Sequence, residues 1–373
     1  MKKKKSFFST RARSKKAGNY TLLRWGNLFF VLLSFAALIA PQVDPRVFWP
    51  IAIIGLIMPG LLLAHLLFFL FWVSRKDRYF LFSLATLVMS FTAIKGLLGF
   101  HAFPATAAST TAVKVVSYNA HLLKAVQKNN QAISEKDFGQ VLEDLDADVI
   151  ALQEFVPNST FRGPYLAAAK AAGYIHQSIA TNTKQEGART LGSLAVFSKY
   201  PLKTIDYHKF NVTHGYQIVE IQKADKSFRV VNIHLSSNQV TAITNELAEE
   251  GKLNEKKTWS NIKEVASRYK NGAIRRSTQA EIIQAKVNAQ NSPTIVCGDF
   301  NDTSQSFVYR TIKGGFQDSF VKKGTGFGAS YAGKIPALRI DYILASPNIK
   351  VLGSRRRSHY FSDHYAVEAV LDF

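Results

Sequence analysis

Three apolar stretches within the first hundred residues constrain the fold of this chain more than any other feature. They cover residues 22–40, 48–73 and 79–98. Each is close to the ~20 residues that a helix needs to cross ~30 Å of hydrocarbon. Pro59 and Gly60 interrupt the second stretch, and Lys95 lies near the end of the third, where its side chain can snorkel to the interface. Helices buried in a large soluble core are the alternative, but three such segments in close succession favour three transmembrane helices.

The distribution of basic residues predicts how these helices are oriented. Of the net charge of +21, residues 1–100 contribute 14 Lys and Arg minus 2 acids, or +12, and the remainder contributes 33 minus 24, or +9. The basic residues cluster in the N-terminal tail, at Lys2, Lys3, Lys4, Lys5, Arg11, Arg13, Lys15 and Lys16, and in the second loop, at Arg75, Lys76 and Arg78. Lys and Arg favour the cytoplasmic side. We therefore expect a multi-pass protein of the inner (cytoplasmic) membrane, with residues after 100 on the outer, periplasmic or extracellular, side.

A cleavable signal peptide is the competing interpretation of the first apolar stretch, because a basic segment precedes it and small residues lie near Ala40. Cleavage would leave two spans and the same final orientation. We interpret the basic tail as a topology signal rather than as a nucleic-acid-binding segment.

The region after the membrane module has a different composition. Residues 101–111 lack any periodic pattern and predict a linker, so that the domain boundaries are 1–100, 101–111 and 112–373. Short β-branched runs predict buried strands at 113–118, 149–152, 194–198, 217–221, 228–235, 294–297, 340–344 and 366–371. Helical patterns lie at 134–145, 165–172, 259–269 and 273–289, the first with a Ser134-x-x-Asp137 cap. This order predicts an α/β (α+β) domain of mixed sheets flanked by helices.

Polar side chains recur where the predicted strands end, which is where chemistry is often found. They are Asn119, Glu154, His234, Asp299, Asn301, Asp341, Asp363 and His364. Taken singly, each has an ordinary explanation as a turn residue, a capping acid or a buried histidine. Taken together, they supply what hydrolysis of a phosphodiester requires, namely charge neutralisation, an activated water and help for the leaving oxygen.

Carboxylate and amide oxygens, such as those of Glu154, Asp363 and Asn119, suit a hard divalent cation, Mg²⁺ first. His364 and Asp341 can form a dyad in which the carboxylate fixes the imidazole tautomer. The sequence has a single cysteine and no zinc-type Cys/His spacing, phosphate-binding Gly-rich loop or nucleophile elbow. These three classes of site are therefore set aside.

The ordered motifs of residues 113–373 resemble the endonuclease/exonuclease/phosphatase (DNase I-like) superfamily. They are Ser117-Tyr118-Asn119, Leu152-Gln153-Glu154, Leu194-Ala195-Val196-Phe197-Ser198, Asn232-Ile233-His234-Leu235, Gly298-Asp299-Phe300-Asn301, Arg339-Ile340-Asp341-Tyr342-Ile343 and Ser362-Asp363-His364. The resemblance implies a four-layer sandwich of two mixed sheets flanked by helices, with the site at one edge. The chain departs from familiar members after Glu154 and in the polar excursion at 236–257, which usually shape substrate choice.

The resemblance also implies a role for each residue. Glu154 would be the main Mg²⁺ or Mn²⁺ ligand, with Asn119 beside it and Asp363 as a further contact. Asp341 and His364 would act on the attacking water or the phosphate, and His234 would bind the phosphate. Asp299 and Asn301 would orient water and stabilise the transition state, with the general base left open between Asp299 and His364. No organic cofactor is implied.

Several functions are compatible with this site. The first is metal-assisted hydrolysis of a phosphodiester in nucleic acid or in a phospholipid headgroup. Arg275, Arg276 and the run at 355–357 would suit a nucleic-acid backbone, or they form a solvated face. Phosphomonoesterase activity on inositol or sugar phosphates is an alternative. So is a non-catalytic membrane-tethered sensor or scaffold, although such a protein would be expected to have lost the metal-binding acid or the histidines.

Overall fold

The computed structural model describes residues 20–102, 111–155, 159–180, 193–237, 256–288, 292–333, 337–358 and 360–373. The basic tail, most of the predicted linker at 101–111 and most of the excursion at 236–257 lie outside the described residues. Within these ranges the helices are α1 (Thr21–Ile39), α2 (Pro45–Phe48), α3 (Pro50–Leu56), α4 (Met58–Ser74), α5 (Phe80–Met89), α6 (Phe91–Leu97), α7 (Glu135–Leu145), α8 (Ser159–Ala171), α9 (Lys256–Asn288), α10 (Phe307–Lys313) and α11 (Ser319–Lys323).

The strands in the same ranges form two large sheets and one small hairpin. They are β1 (Leu98–Phe100), β2 (Val113–Asn119), β3 (Lys124–Ala125), β4 (Gln131–Ala132), β5 (Val149–Phe155), β6 (His176–Ile179), β7 (Ser193–Ser198), β8 (Leu202–Lys209), β9 (Gly215–Lys223), β10 (Lys226–His234), β11 (Thr294–Asp299), β12 (Gln317–Asp318), β13 (Gly324–Phe327), β14 (Asp341–Ala345), β15 (Lys350–Arg356) and β16 (Val367–Asp372). Each of the eight predicted strands overlaps one of these.

The three apolar stretches do not form three continuous helices. Among the described helices, only α1 with the 3₁₀ turn after it, Thr21–Gln42, is by itself long and apolar enough to cross a membrane. Helices α3 and α4 are bent by 56° at their junction, and α5 and α6 by 65°. Pro59 in the first turn of α4 accounts for the first bend, because a proline removes a backbone donor and its ring crowds the preceding turn. Of the three predicted transmembrane helices, the first is therefore one continuous candidate span, and each of the other two is a pair of helices with a break between them.

The N-terminal helices place polar side chains inside and apolar side chains outside. Leu22, Leu32 and Val88 are 86%, 69% and 66% exposed. His65 is fully buried, and its Nε2 lies 3.1 Å from Ser34 Oγ on another helix. Polar contacts between helices beneath an apolar outer surface are typical of helices packed in lipid.

The C-terminal domain consists of two sheets packed face to face. The first has the strand order β1-β13-β15-β16-β2-β5-β7-β6, and the second has the order β12-β14-β11-β10-β9-β8. Both sheets are mixed: β2 pairs in parallel with β5, which pairs antiparallel with β7, and β10 lies between parallel β11 and antiparallel β9. The predicted α/β fold with mixed sheets and helices is confirmed.

Alternating side chains along the strands build four layers. Val115 on β2 and Val230 on β10 belong to the apolar core between the sheets. Val116, the next residue on β2, faces outward and packs with Phe138 of α7. On the other side of the sandwich, the second sheet packs outward against α9 through residues such as Ile283. The layers therefore run helix, sheet, sheet, helix, because neighbouring strand residues point to opposite faces.

Several contacts among the described residues attach the N-terminal helices to the C-terminal domain. Strand β1 pairs antiparallel with β13 and becomes the edge of the first sheet. The Tyr269 hydroxyl of α9 donates to the Ala52 carbonyl of α3 at 3.0 Å. Arg46 pairs with both Asp44 and Glu281, with its Nη1 2.8 Å from Glu281 Oε2. The helical module and the sandwich are thus packed together rather than joined only by a tether.

A buried ion pair in the sandwich gives a stability prediction. Asp318 Oδ2 lies 2.6 Å from Arg339 Nη2, and both side chains are buried. Burial alone would raise the pKa of Asp318, but the attraction of Arg339 outweighs it and holds this pKa below its usual 3.8. Asp318→Asn leaves Arg339 buried and unpaired, so we expect the free energy of unfolding at pH 7 to fall by about 3 kcal/mol.

The depressed pKa of Asp318 fixes the pH dependence of this effect. The ion pair of Asp318 contributes to the free energy of unfolding at pH values above the unfolded-state pKa of Asp318, which is about 4. This contribution is lost as the pH falls through the folded-state pKa of Asp318. Denaturant unfolding of the full chain in detergent should therefore show a smaller difference between Asp318→Asn and the wild type at low pH than at neutral pH. A difference that is the same at both pH values would contradict the prediction.

Candidate active site

The ends of two pairs of parallel strands bring most of the predicted site residues to one edge of the sandwich. Asn119 at the end of β2 is in register with Gln153 on β5, and Glu154 is the next residue. His234 at the end of β10 is in register with Asp299 at the end of β11. Because the ends of parallel neighbours lie at the same sheet edge, the two sheets present these polar side chains to each other.

Asp299 is the centre of this arrangement and is 1% exposed. Its Oδ2 accepts hydrogen bonds from Asn119 Nδ2 at 3.1 Å and from Asn301 Nδ2 at 3.2 Å. The same oxygen lies 3.7 Å from His234 Nε2 and 3.8 Å from His364 Nε2. One buried carboxylate therefore contacts or faces four of the other predicted residues.

Asp341 and His364 form a buried dyad beside Asp299. His364 Nδ1 lies 2.9 Å from Asp341 Oδ2. Burial favours the neutral imidazole, but the carboxylates of Asp341 and Asp299 outweigh it and raise the pKa of His364 well above its usual value. Burial and the charge of Asp341 together raise the pKa of Asp299. Nε2 of His364 is directed toward Asp299, so the two carboxylates and the imidazole form one connected buried group.

Glu154 adds a carboxylate that solvent can reach. Its Oε1 lies 3.5 Å from Asn119 Nδ2 and 3.6 Å from His234 Nε2, and 26% of its side chain is exposed. Glu154 has a φ of +50°, and the pairing of β5 with β7 shifts register between Leu152 and Phe155. A bulge of this kind redirects a side chain, and a non-glycine residue in the left-handed region is often found at a functional site.

Gly298 allows the two central strands of the second sheet to approach each other closely. It has a φ of +141°, and a Cβ atom at this position would lie 1.9 Å from the Ile233 carbonyl oxygen. Only glycine fits such a position. The Gly298 backbone therefore sets His234 and Asp299 side by side, each one residue beyond this contact.

Asp363 lies next to a histidine that the sequence analysis did not identify. His121 Nδ1 is 3.2 Å from Asp363 Oδ1. This hydrogen bond raises the pKa of His121. At Asp363, burial is outweighed by the same hydrogen bond together with the charges of His364 and His121, and the pKa of Asp363 is lowered. The His121 backbone N–H also donates to Asn119 Oδ1 at 3.1 Å. His121 follows β2 in a turn with positive φ, where no periodic pattern distinguishes it.

His214 is a second residue that the sequence analysis missed. Its ring centroid lies 4.6 Å from that of His234, edge to face. Burial, followed by the charge of His234, lowers the pKa of His214 to about 2, so His214 is neutral. His234 Nδ1 lies 3.2 Å from the Thr213 carbonyl oxygen. The Thr213 carbonyl therefore accepts a hydrogen bond from Nδ1 and orients the His234 ring so that Nε2 faces the carboxylates.

The donor atoms at this edge fit a hard divalent cation. Asp299, Asp341 and His364 offer ligand atoms that lie within 4.8 Å of one another. Asp341 Oδ1 is buried without a hydrogen-bond partner among the described residues. Glu154 supplies a further oxygen on the open side. Carboxylate oxygens with access to water match the coordination that Mg²⁺ prefers.

The arginines suggested for a nucleic-acid backbone are largely engaged within the protein. Arg276 is fully buried and pairs with Asp302 at 3.1 Å. Arg357 pairs with Glu368 at 2.7 Å, and Arg355 lies 3.2 Å from the same residue. Arg275, in contrast, is exposed.

Comparisons with known proteins agree with this geometry. Residues 116–364 match the model of the endonuclease/exonuclease/phosphatase family, and residues 20–97 match a domain of unknown function. No match to a curated protein is found.

Two solved structures of this type resemble the chain. An endonuclease/exonuclease/phosphatase from Beutenbergia cavernae DSM 12333 is 17% identical, with a TM-score of 0.51 over 70% of this chain and 72% of that one. One from Bacteroides vulgatus is 17% identical, with a TM-score of 0.50 over 71% of this chain and 100% of that one. Because the family model matches more than half of the chain, the protein belongs to the endonuclease/exonuclease/phosphatase family.

Proposed function

We propose that the protein is a membrane-anchored phosphodiesterase that uses Mg²⁺, or Mn²⁺, to hydrolyse a phosphodiester by attack of water. One observation carries the proposal: the carboxylates of Glu154 and Asp299 and the imidazoles of His234 and His364 lie around one point at the sheet edge. Two imidazoles and two carboxylates in contact provide both proton transfer and charge stabilisation at that point.

The open side of this cluster would hold the cation. Glu154 is the main candidate ligand, with the Asn119 amide beside it and Asp363 as a further contact. A divalent cation there would neutralise the anionic phosphoryl oxygens. His121 supports this role, because its hydrogen bond to Asp363 is one of the interactions that lower the pKa of that carboxylate.

The buried side of the cluster would carry out the proton transfers. Asp341 orients His364 through Nδ1, so that Nε2 of the ring faces Asp299. Asn301 fixes Asp299 through both its backbone N–H, at 2.8 Å, and its side-chain amide. His234 presents Nε2 for contact with a phosphoryl oxygen or with the leaving group. Asp299 and His364 both lie where a proton from the attacking water can be accepted.

We infer that each bent helix pair crosses the membrane once, which gives three spans. The two ends of the helical module support this topology. At one end Arg24 pairs with Asp77 at 2.6 Å, and the Arg75 guanidinium lies over the Tyr20 ring. At the other end Ala52 contacts the sandwich. The basic end would be cytoplasmic and the catalytic domain would lie on the outer side of the inner membrane.

Within this topology the substrate that fits best is a phosphodiester at the membrane surface, such as a phospholipid headgroup. Ser304 packs against Gly96, close to the end of α6. Asn301 precedes Ser304 by three residues, so their Cα atoms are at most about 11 Å apart. The candidate site therefore lies close to the point where the third span leaves the bilayer.

A substrate screen tests the proposed function. The full chain in detergent would be assayed on phospholipid vesicles, single- and double-stranded DNA and RNA. We expect phosphodiester hydrolysis that EDTA lowers by about 10³-fold or more and that Mg²⁺ or Mn²⁺ restores, because a bound cation contributes several kcal/mol to the transition state. Activity that survives complete removal of metal would refute the mechanism, and turnover of nucleic acid alone would refute the membrane-surface substrate.

A further inference from the structure

We propose that the N-terminal helices are a structural part of the active site, and that Tyr269 and Arg276 are the positioning residues through which they act. These two residues connect the docked helix α3 with the loops that follow β10 and β11. The proposal deepens the proposed function, on which its activity readout rests.

The first step is the contact of α3 with α9. Ala52, Tyr269 and Ala273 form a small buried apolar cluster, with Ile53 and Leu56 packed against it. Tyr269 is only 4% exposed, and its hydroxyl donates to the Ala52 carbonyl. An apolar patch of α9 that would otherwise face water is therefore covered by the N-terminal module.

The second step leads from Tyr269 to the site loops. Arg276 lies two turns further along α9, and its guanidinium is 5.8 Å from the centroid of the Tyr269 ring. It donates to the Ser236 carbonyl at 3.0 Å and to Asp302 Oδ2 at 3.1 Å. Ser236 follows His234 by two residues, and Asp302 directly follows Asn301. One buried guanidinium thus joins the loop after β10 to the loop after β11.

Other contacts reinforce the same junction. Gln279, one turn beyond Arg276 on α9, accepts from the Ser236 backbone N–H at 3.0 Å and donates to Ser236 Oγ at 2.8 Å. Asn301 Nδ2 donates to the Leu235 carbonyl at 2.9 Å. The positions of His234 and Asn301 therefore depend on a polar network that is anchored on α9.

The third step is the exclusion of water from this network. A buried ion pair is strong because its surroundings are dry, and it weakens when water enters. Displacing α3 would expose the Tyr269 ring and Ala273, which lie on the route from the module to Arg276. We therefore expect release of α3 to loosen both loops, and with them His234 and Asn301.

Gly55 of α3 offers a way to displace the module without replacing any residue of the candidate site. A Cβ atom at Gly55 would lie 2.3 Å from the Gln305 carbonyl oxygen, so a larger residue cannot be accommodated. Gly60 on α4 has nothing within 4 Å of its added Cβ. Gly60→Leu is therefore a matched control for Gly55→Leu: the same change, in the same module, at an open position.

The test compares these variants as full chains in detergent, with bis(p-nitrophenyl) phosphate as a soluble phosphodiester probe. We expect Gly55→Leu to lower kcat by about tenfold to a hundredfold with little change in KM, because misplacement of catalytic groups acts mainly on the chemical step. Tyr269→Phe, which removes one hydroxyl, should lower kcat by about threefold. Gly60→Leu should have the same kcat and KM as the wild type.

Amide hydrogen exchange supplies a readout that needs no turnover. In Gly55→Leu, exchange should become faster at 235–237 and 301–303 and stay unchanged in the central strands, because only the loops are released. The proposal would be overturned if the loops of Gly55→Leu exchanged at the wild-type rate. It would also be overturned if these loops exchanged faster while the kcat of Gly55→Leu stayed at the wild-type value. If the wild-type chain hydrolyses no phosphodiester, the proposed function fails, and the exchange measurement still decides whether the module holds the loops. If Gly55→Leu does not fold, the same two measurements are made on Tyr269→Phe.

Discussion

Glu154→Gln is expected to lower kcat/KM for phosphodiester hydrolysis by about 10³-fold, because the substitution removes the charge of the main proposed metal ligand while keeping its shape. Glu154 is the solvent-accessible carboxylate of the cluster, with Oε1 3.6 Å from His234 Nε2. The measurement is a Mg²⁺ titration of initial rates. The concentration of Mg²⁺ required for half-maximal activity should rise as well, because a neutral amide is a weaker ligand for a hard cation.

Glu143→Gln is the matched control for this substitution, since Glu143 is an exposed residue on α7 away from the sheet edge. It should retain wild-type kinetics. Wild-type activity and wild-type Mg²⁺ dependence in Glu154→Gln would remove the basis of the metal assignment.

The second large effect is expected at the dyad. His364→Ala removes a group placed for proton transfer, and Asp341→Asn removes the carboxylate that orients it at 2.9 Å. Each substitution is expected to lower kcat by about 10²- to 10⁴-fold. Because the two residues act as one unit, the double variant should lose little more than the more damaging single variant.

A double-mutant cycle on kcat measures this coupling. Asp225→Asn, at an exposed position on the turn between β9 and β10, should leave the rate unchanged. If the effects of Asp341→Asn and His364→Ala simply multiply in the double variant, the two residues do not function as a dyad.

The sequence was most informative about buried strands. Their β-branched runs predicted eight strands, and all eight are present, because burial on both faces leaves an unbroken apolar pattern. Eight described strands were missed. Six of these are short, with two to four residues: β1, β3, β4, β6, β12 and β13. Of the two longer ones, β8 is a partly exposed edge strand and β15 ends in arginines. The helix predicted in two parts, 259–269 and 273–289, is the single helix α9. Gly272 lies inside this helix, which tolerates one glycine at a cost of about 1 kcal/mol.

Site residues were accessible to sequence reasoning where they lie next to a predicted strand. Asn119, His234 and Asp299 each end a buried run, so their convergence could be anticipated from the order of the strands. His121 and His214 lie in turns, and their contacts depend on local backbone angles that no pattern encodes. The roles given to these residues remain predictions until the variants are measured.

The continuity of α1 and the bends in the other two apolar stretches show a similar limit of prediction from sequence. Hydropathy measures length and composition, and it predicted three stretches of suitable length. Hydropathy does not detect the break at Ile57 ahead of Pro59, where the chain turns by 56°. The docking of α3 on α9 was also beyond the sequence, because it depends on a close approach at Gly55 that involves residues far apart in the chain.

The pairing of β1 with β13 has a consequence for any attempt to produce the catalytic domain alone. Residues Leu98, Gly99 and Phe100 provide the outermost strand of the eight-stranded sheet. A chain that begins after residue 110 would leave the backbone donors and acceptors of β13 open at a sheet edge, next to the partly exposed ring of Phe327. Such an edge is a template for pairing with another molecule. A shortened version that retains residues 98–100 should therefore stay monomeric at concentrations where one lacking them aggregates.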